Sequence, residues 1–191
     1  MDWTYWGRPL VGFGDRRARV LILGLAPAAH GGNRTGRMFT GDGSAQFLMV
    51  ALHRFGFTNQ STSNSVDDGL EMKDAYMTAI VRCAPPKNKP SIKEIQTCKN
   101  YWTEELRFLP GIKVVLALGR VAFDTYVKFL KNEGFETRSF KFNHGAFYKP
   151  PSPQPALVAS YHPSRQNTQT GRLTPQMLDS VLTKIQQYLN S

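Results

Sequence analysis

Four short apolar runs divide the chain: Ala18–Leu25, Ala75–Arg82, Ile112–Gly119 and Ala156–Tyr161. Each is rich in Val, Ile, Leu or Ala and is followed by a turn signal. Unbroken apolar runs of this length are the pattern of parallel strands covered on both faces. The intervening segments repeat their apolar residues at helical spacing. Ser44–Phe55 puts Phe47, Leu48, Leu52 and Phe55 on one face, and Ser91–Leu109 spaces Ile92, Ile95, Cys98, Trp102, Leu106 and Leu109 three and four apart. The second of these opens on Ser91-Ile-Lys-Glu94, a capping-box pattern, directly after Pro90. Val121–Asn132 predicts a third helix. A fourth starts at Thr174-Pro175, a capping residue and a first-turn proline, and runs to about Leu189. Strand–helix alternation predicts an α/β fold, a three-layer α/β/α domain around a central four-stranded parallel sheet. Thr58–Asp68 is polar and predicts a surface loop. Phe140–Pro155 is proline-rich and predicts a loop or short hairpin. Nothing marks a second domain, so residues 1–191 read as one.

The unusual residues gather where the predicted strands end. Gly24–Gly31 follows the first strand, Cys83–Pro90 the second, and His162-Pro-Ser164 the fourth. In an open parallel sheet the ligand crevice lies beyond the carboxyl ends of the strands, so the three segments predict one site.

Composition narrows the chemistry. With 41% hydrophobic and 20% charged residues, the chain is not of the disordered class. Lys plus Arg is 24 against 14 for Asp plus Glu, a net charge of +10. That surplus suits a polyanionic partner, most simply nucleic acid; the alternative is a basic surface kept for solubility. No apolar run approaches the ~20 residues of a membrane span, and the first residues lack a signal-peptide pattern. A soluble protein of a reducing compartment is expected. Gly24–Gly36 lacks the Gly-Lys-Ser/Thr ending of a phosphate loop and the spacing of a dinucleotide fingerprint. There is no Gly-x-Ser-x-Gly elbow and no His-Glu-x-x-His. Two cysteines are too few for a disulfide scaffold or, alone, a four-thiolate metal site.

Gly24-Leu-Ala-Pro-Ala-Ala-His-Gly-Gly-Asn-Arg-Thr-Gly-Arg-Met-Phe-Thr-Gly-Asp42 resembles the first motif of the family five (type b) uracil-DNA glycosylases, of the iron–sulfur uracil-DNA glycosylase group. His162-Pro-Ser-Arg-Gln-Asn-Thr-Gln-Thr-Gly-Arg172 resembles their last motif, and the opening Asp2-Trp-Thr-Tyr-Trp-Gly-Arg-Pro is also similar. The resemblance covers nearly the whole chain. It implies a monofunctional base-excision repair glycosylase. Such an enzyme flips uracil, and other deaminated bases such as hypoxanthine, out of DNA and hydrolyses the N-glycosidic bond. The transition state carries oxocarbenium character on the sugar and negative charge on the departing base. Donors aimed at the base, a carboxylate or positioned water near the sugar, and an aromatic platform are therefore needed.

On this resemblance Asp42 orients the attacking water or stabilises the cation; it also stands where an N-cap would open the helix near Ser44. His162 donates to an oxygen of the leaving base. Phe39 stacks on the flipped base or, alternatively, packs in the core. Backbone around Ala26, Pro27 and His30 helps hold the base, His30 either touching substrate or fixing the loop. Sister families carry an acidic or amide side chain where this chain has Ala26-Pro27, which shifts the carboxylate role to Asp42. Some relatives place Asn where this chain has Ala79, so pyrimidine discrimination is expected to weaken. Asn88 either supplies a substitute amide or simply forms a turn. Ser164, Arg165, Gln166 and Asn167 are expected at the minor groove, Arg165 or Gln166 filling the gap. Arg34, Arg37, Arg172, Lys87 and Lys89 are candidate phosphate contacts or solvated charges.

Cys83-Ala-Pro-Pro-Lys-Asn-Lys-Pro with Cys98 resembles the second half of the family's ligand set for a 4Fe-4S cluster. The other half comes, in the family, from a cysteine pair upstream of the segment opening this chain. Three readings stand: a chain lacking an upstream N-terminal segment, a natural cluster-less variant, or two plain buried thiols. As given, the chain is not expected to hold a stable four-Cys cluster. The remaining expectations are a DNA partner carrying uracil or other deaminated bases, a monomer, no membrane, and a cytoplasmic, nucleoid-associated location. The alternative function is a catalytically impaired, truncated relative acting as a DNA-binding module. A small-molecule α/β enzyme is a third class, to be recognised by a bound nucleotide.

Overall fold

The computed structural model describes residues 5–191. Asp2, Trp3 and Thr4 of the opening motif lie outside the described residues. In chain order the strands are β1 (Phe13–Gly14), β2 (Val20–Gly24), β3 (Ala75–Ala79), β4 (Val114–Leu118), β5 (Phe147–Tyr148) and β6 (Ala156–Ser160). The α-helices are α1 (Gly32–Thr35), α2 (Gly43–Arg54), α3 (Ile92–Phe108), α4 (Arg120–Asn132), α5 (Arg165–Gln169) and α6 (Pro175–Leu189), with a 3-10 turn at Pro86–Asn88.

The four apolar runs form the parallel centre of the sheet, in the order β3-β2-β4-β6. Two-residue strands β1 and β5 add antiparallel edges, so the sheet has six strands where four were expected. Two residues carry no periodicity, which is why neither edge strand was legible. Within Phe140–Pro155 only Phe147–Tyr148 is strand, and it pairs with β6 itself, so the segment is a loop with one short strand and not a hairpin of its own.

Alternation along the strands explains the three layers. Ile22, Leu116 and Val158 face one way and pack on Leu48, Leu52, Leu178 and Leu182 from α2 and α6. Leu21, Leu23, Val115 and Leu157 face the other way and pack on Trp102, Phe123, Tyr126 and Leu130 from α3 and α4. Each such fully buried side chain contributes about 1.5–3 kcal/mol relative to exposure, so both faces of the sheet are strongly held. The capping expectations also hold. Ser91 and Glu94 form a reciprocal capping box at α3, and Thr174 caps α6 through the Met177 amide. The loop Thr58–Asp68 departs from the expectation of a plain surface loop, because Thr58 and Ser63 are buried.

Candidate active site

The loops following β2 and β6 meet α2 and the end of β3 around one cavity. Its walls are Ala26, Pro27, Ala28, Met38, Phe39, Asp42, Ser44, Ala79 and His162. The cavity thus brings together Ala26, Pro27, Phe39, Asp42 and His162, all singled out from sequence. Ser44 and Met38 were missed, since nothing in their spacing marks them.

The Phe39 ring lies against the last residue of β2. A Cβ on Gly24 would sit 2.7 Å from its Cε2, so only glycine admits the ring there. Phe39 has φ 47°, the left-handed region that side chains rarely adopt. Its ring centroid stands 6.0 Å from that of His162, with the planes tilted by 33°.

Asp42 does two things at once. It is the N-cap of α2, its Oδ1 accepting from the Ala45 amide at 2.8 Å. Its other oxygen, Oδ2, packs over Gly31, where a Cβ would overlap it. The helix start thus orients the carboxylate while leaving it on the cavity wall.

His162 follows β6 and is kept close to the chain by Gly119, at φ 96°, where a Cβ would come 3.2 Å from the His162 Cβ. Burial pushes the imidazole below its ordinary value, against the opposing pull of Asp42. It is therefore neutral at pH 7, the form expected of a donor to a departing anionic base. Its carbonyl accepts from Asn167 Nδ2 at 2.8 Å. The preceding residue is held by His144: the Tyr161 amide donates to Nδ1 at 3.1 Å, so Nε2 carries the proton and donates to the Met177 carbonyl, also at 3.1 Å. His144 was missed from sequence, because only the folded chain brings it beside Tyr161.

A polar groove of about 480 Å³ runs past Asp42, lined among others by Arg34, Gln46, Asn64 and Arg165. Arg165 and Gln166 are exposed on α5, and Ser164 caps that helix through the Asn167 amide. Asn167 thus serves the loop from within. Arg172 is exposed over the Tyr161 ring, 5.0 Å from its centroid. Arg34 donates to the carbonyls of His30 and Gly41, holding the loop while it lines the groove.

Three expectations are corrected. Arg37 is no phosphate contact: its side chain is 7% exposed and its Nη2 donates to Asp68 at 2.8 Å. Asn88 is not in the cavity; it is exposed at φ 55° and its amide closes a turn onto the Pro85 carbonyl, so the turn-forming alternative holds. Lys87 and Lys89 are exposed on the same turn. His30 is exposed outside the cavity, its Nδ1 bonded to the Tyr5 hydroxyl at 2.7 Å, which is the loop-fixing alternative.

Cys83 is exposed in the segment after β3, and Cys98 is half-buried on α3. Burial pushes the Cys83 thiol up, and charge at Cys98 and Glu94 pushes it the same way. Among the described residues no three His, Cys, Asp or Glu side chains are grouped to hold a metal ion. Two thiols on their own do not fit a cubane cluster, which takes four.

A family model described as the Uracil DNA glycosylase superfamily matches residues 11–186. A type-5 uracil-DNA glycosylase of Thermus thermophilus is 51% identical over 179 residues, covering 93% of this chain and 79% of that protein. A type-5 enzyme of Pyrobaculum aerophilum is 48% identical over 183 residues, covering 96% of this chain and 77% of its own. A type-4 uracil-DNA glycosylase of the same organism is 30% identical over 112 residues, 58% of this chain and 49% of that one.

Proposed function

Because the chain belongs to the uracil DNA glycosylase superfamily, we propose that it is a monofunctional uracil-DNA glycosylase of DNA repair, a hydrolase that releases uracil from DNA. The carrying observation is that Asp42 and His162, far apart in sequence, line one cavity with the Phe39 ring. A flipped base stacks on Phe39. His162, neutral through burial, donates toward the base as negative charge develops there. Asp42 stabilises the sugar cation or orients the water that attacks it. Among the described residues no lysine lines the cavity, so they offer no side-chain amine for a Schiff base to the opened sugar, in keeping with simple hydrolysis. The groove bearing Arg34 and Arg165 suits the phosphodiester strand leading to the flipped nucleotide.

The walls Ala26, Pro27, Ala28 and Ala79 carry no side-chain amide to read a pyrimidine edge. That supports acceptance of other deaminated bases, hypoxanthine among them. We further propose a monomer working on DNA in the cytoplasm, at the nucleoid; no helix among the described residues is long and apolar enough to cross a membrane. Cys83 and Cys98 would supply two ligands to an iron–sulfur cluster, completed by thiolates from outside this chain. Bound, the cluster would tie the Cys83 loop to α3, and no step of the hydrolysis passes through it.

The test is to incubate the protein with end-labelled duplexes carrying uracil or hypoxanthine, cleave with alkali, and identify the released base by mass spectrometry. Strand cleavage above that of Asp42→Ala is expected. Tight, salt-sensitive DNA binding with no released base would instead identify a binding module.

A further inference from the structure

Arg37 and Asp68 form a nearly buried ion pair, with side-chain exposures of 7% and 11%. Asp68 lies in the Thr58–Leu70 region, outside every motif, while Arg37 lies in the segment that carries Phe39 and Asp42. Arg37 Nη2 bridges both carboxylate oxygens of Asp68 and the Ser63 hydroxyl, at 2.8–3.0 Å, and its Nε donates to Thr40 Oγ1 at 3.0 Å. The Thr40 hydroxyl donates to the Met38 carbonyl, so Ser63 donates to Thr40 across 2.7 Å. The Gly41 amide donates to the Ser63 carbonyl. Asp68 in turn accepts from the amides of Asn64, Ser65 and Leu70.

Residues 37, 40 and 41 are thus all anchored to one loop, on either side of Phe39. A side chain at positive φ persists where its surroundings over-determine it. Here the over-determining contacts are this network and the buried Met38. Asp42 is the next residue after the last anchored one.

We propose that Arg37 and Asp68 are positioning residues for base release: the pair latches the 63–68 loop to the segment 37–41 and sets the Phe39 ring and the Asp42 carboxylate against the flipped nucleotide. This rests on the glycosylase reading above. Neither residue touches substrate; a small displacement of the groups that do is enough to slow the reaction.

The experiment compares single-turnover uracil release, affinity for a duplex carrying an uncleavable abasic analogue, and thermal midpoint. Asp68→Asn is expected to slow release about tenfold or more, with affinity changed by less than about threefold. The pair Arg37→Met with Asp68→Leu replaces the ions by apolar groups, which commonly restores the stability of a buried pair. It is expected to regain the thermal midpoint while staying slow. Release by Asp68→Asn within about twofold of the parent, or a double variant whose rate recovers together with its midpoint, overturns the latch. If Asp68→Asn does not fold, Ser63→Ala takes its place: slower release at an unchanged midpoint supports the latch, and an unchanged rate overturns it. A parent protein that releases no uracil overturns the glycosylase reading and the latch with it. An active parent with unaffected variants overturns the latch alone.

Discussion

Gly31 is packed directly beneath Asp42, so closely that a Cβ there would overlap Oδ2 of the carboxylate. The same carboxylate caps α2 through the Ala45 amide. Asp42 is therefore fixed from two sides, by a helix start and by the absence of a side chain. Gly31→Ala is expected to move it and slow uracil release by up to about 100-fold, with DNA affinity nearly unchanged. Single-turnover kinetics alongside a binding titration checks this; an unaltered rate would show that the close packing is incidental.

The capping and chemical roles of Asp42 separate in two substitutions. Asparagine caps as well as aspartate, so Asp42→Asn should keep the thermal midpoint and lose roughly 100-fold or more in rate. Asp42→Ala should lose the rate and, in addition, about 1 kcal/mol of stability. Denaturant titrations of both variants read the difference.

His162 sits below its ordinary value because burial disfavours the charged ring. Well above pH ~6.5 the ring is neutral folded and unfolded, and it contributes nothing to the pH dependence. As pH falls below that, the unfolded chain takes the proton first, so the folded state loses stability until the folded pKa is passed. His144 is pushed the same way, chiefly by burial. Comparing the parent with His162→Gln isolates the first: the parent should lose more thermal stability between pH 7 and 5. The same variant should release uracil about 100–1000-fold more slowly, the effect of removing a donor to developing charge.

Asp68 behaves in the opposite sense. Burial pushes its carboxyl up, but the Arg37 guanidinium and the Asn64, Leu70 and Ser65 amides outweigh it and hold the group at about 2. The resulting stabilisation, on the order of 2 kcal/mol, is fully present above the unfolded value near 4 and is lost as pH falls toward 2. The gap in unfolding free energy between the parent and Asp68→Asn should therefore close over that window. A gap that stays constant would contradict the lowered value.

Asn88 stands at left-handed φ on an exposed turn, away from the cavity. Asn88→Gly suits that backbone and should leave uracil and hypoxanthine release within about twofold of the parent. A selective loss for one base would restore it as a reader of the base edge.

The chain's linear pattern was enough to mark the four central strands, the four long helices, the Ser91 and Thr174 caps and the loops that bear Ala26, Phe39, Asp42 and His162. These are local properties: an apolar run, a three-and-four repeat and a capping residue each report on a few neighbours in sequence. Tertiary structure alone decided the rest. Arg34 and Arg37 are three residues apart in one basic stretch, yet one lines a groove and the other is buried against Asp68. Phe39 owes its place to Gly24, Asp42 to Gly31, and the Tyr161–His162 segment to His144. Strands β1 and β5 exist because a longer strand offers each a partner. Each of these is set by desolvation, close approach or pairing between residues that the sequence keeps apart, and such contacts have no local signature to read.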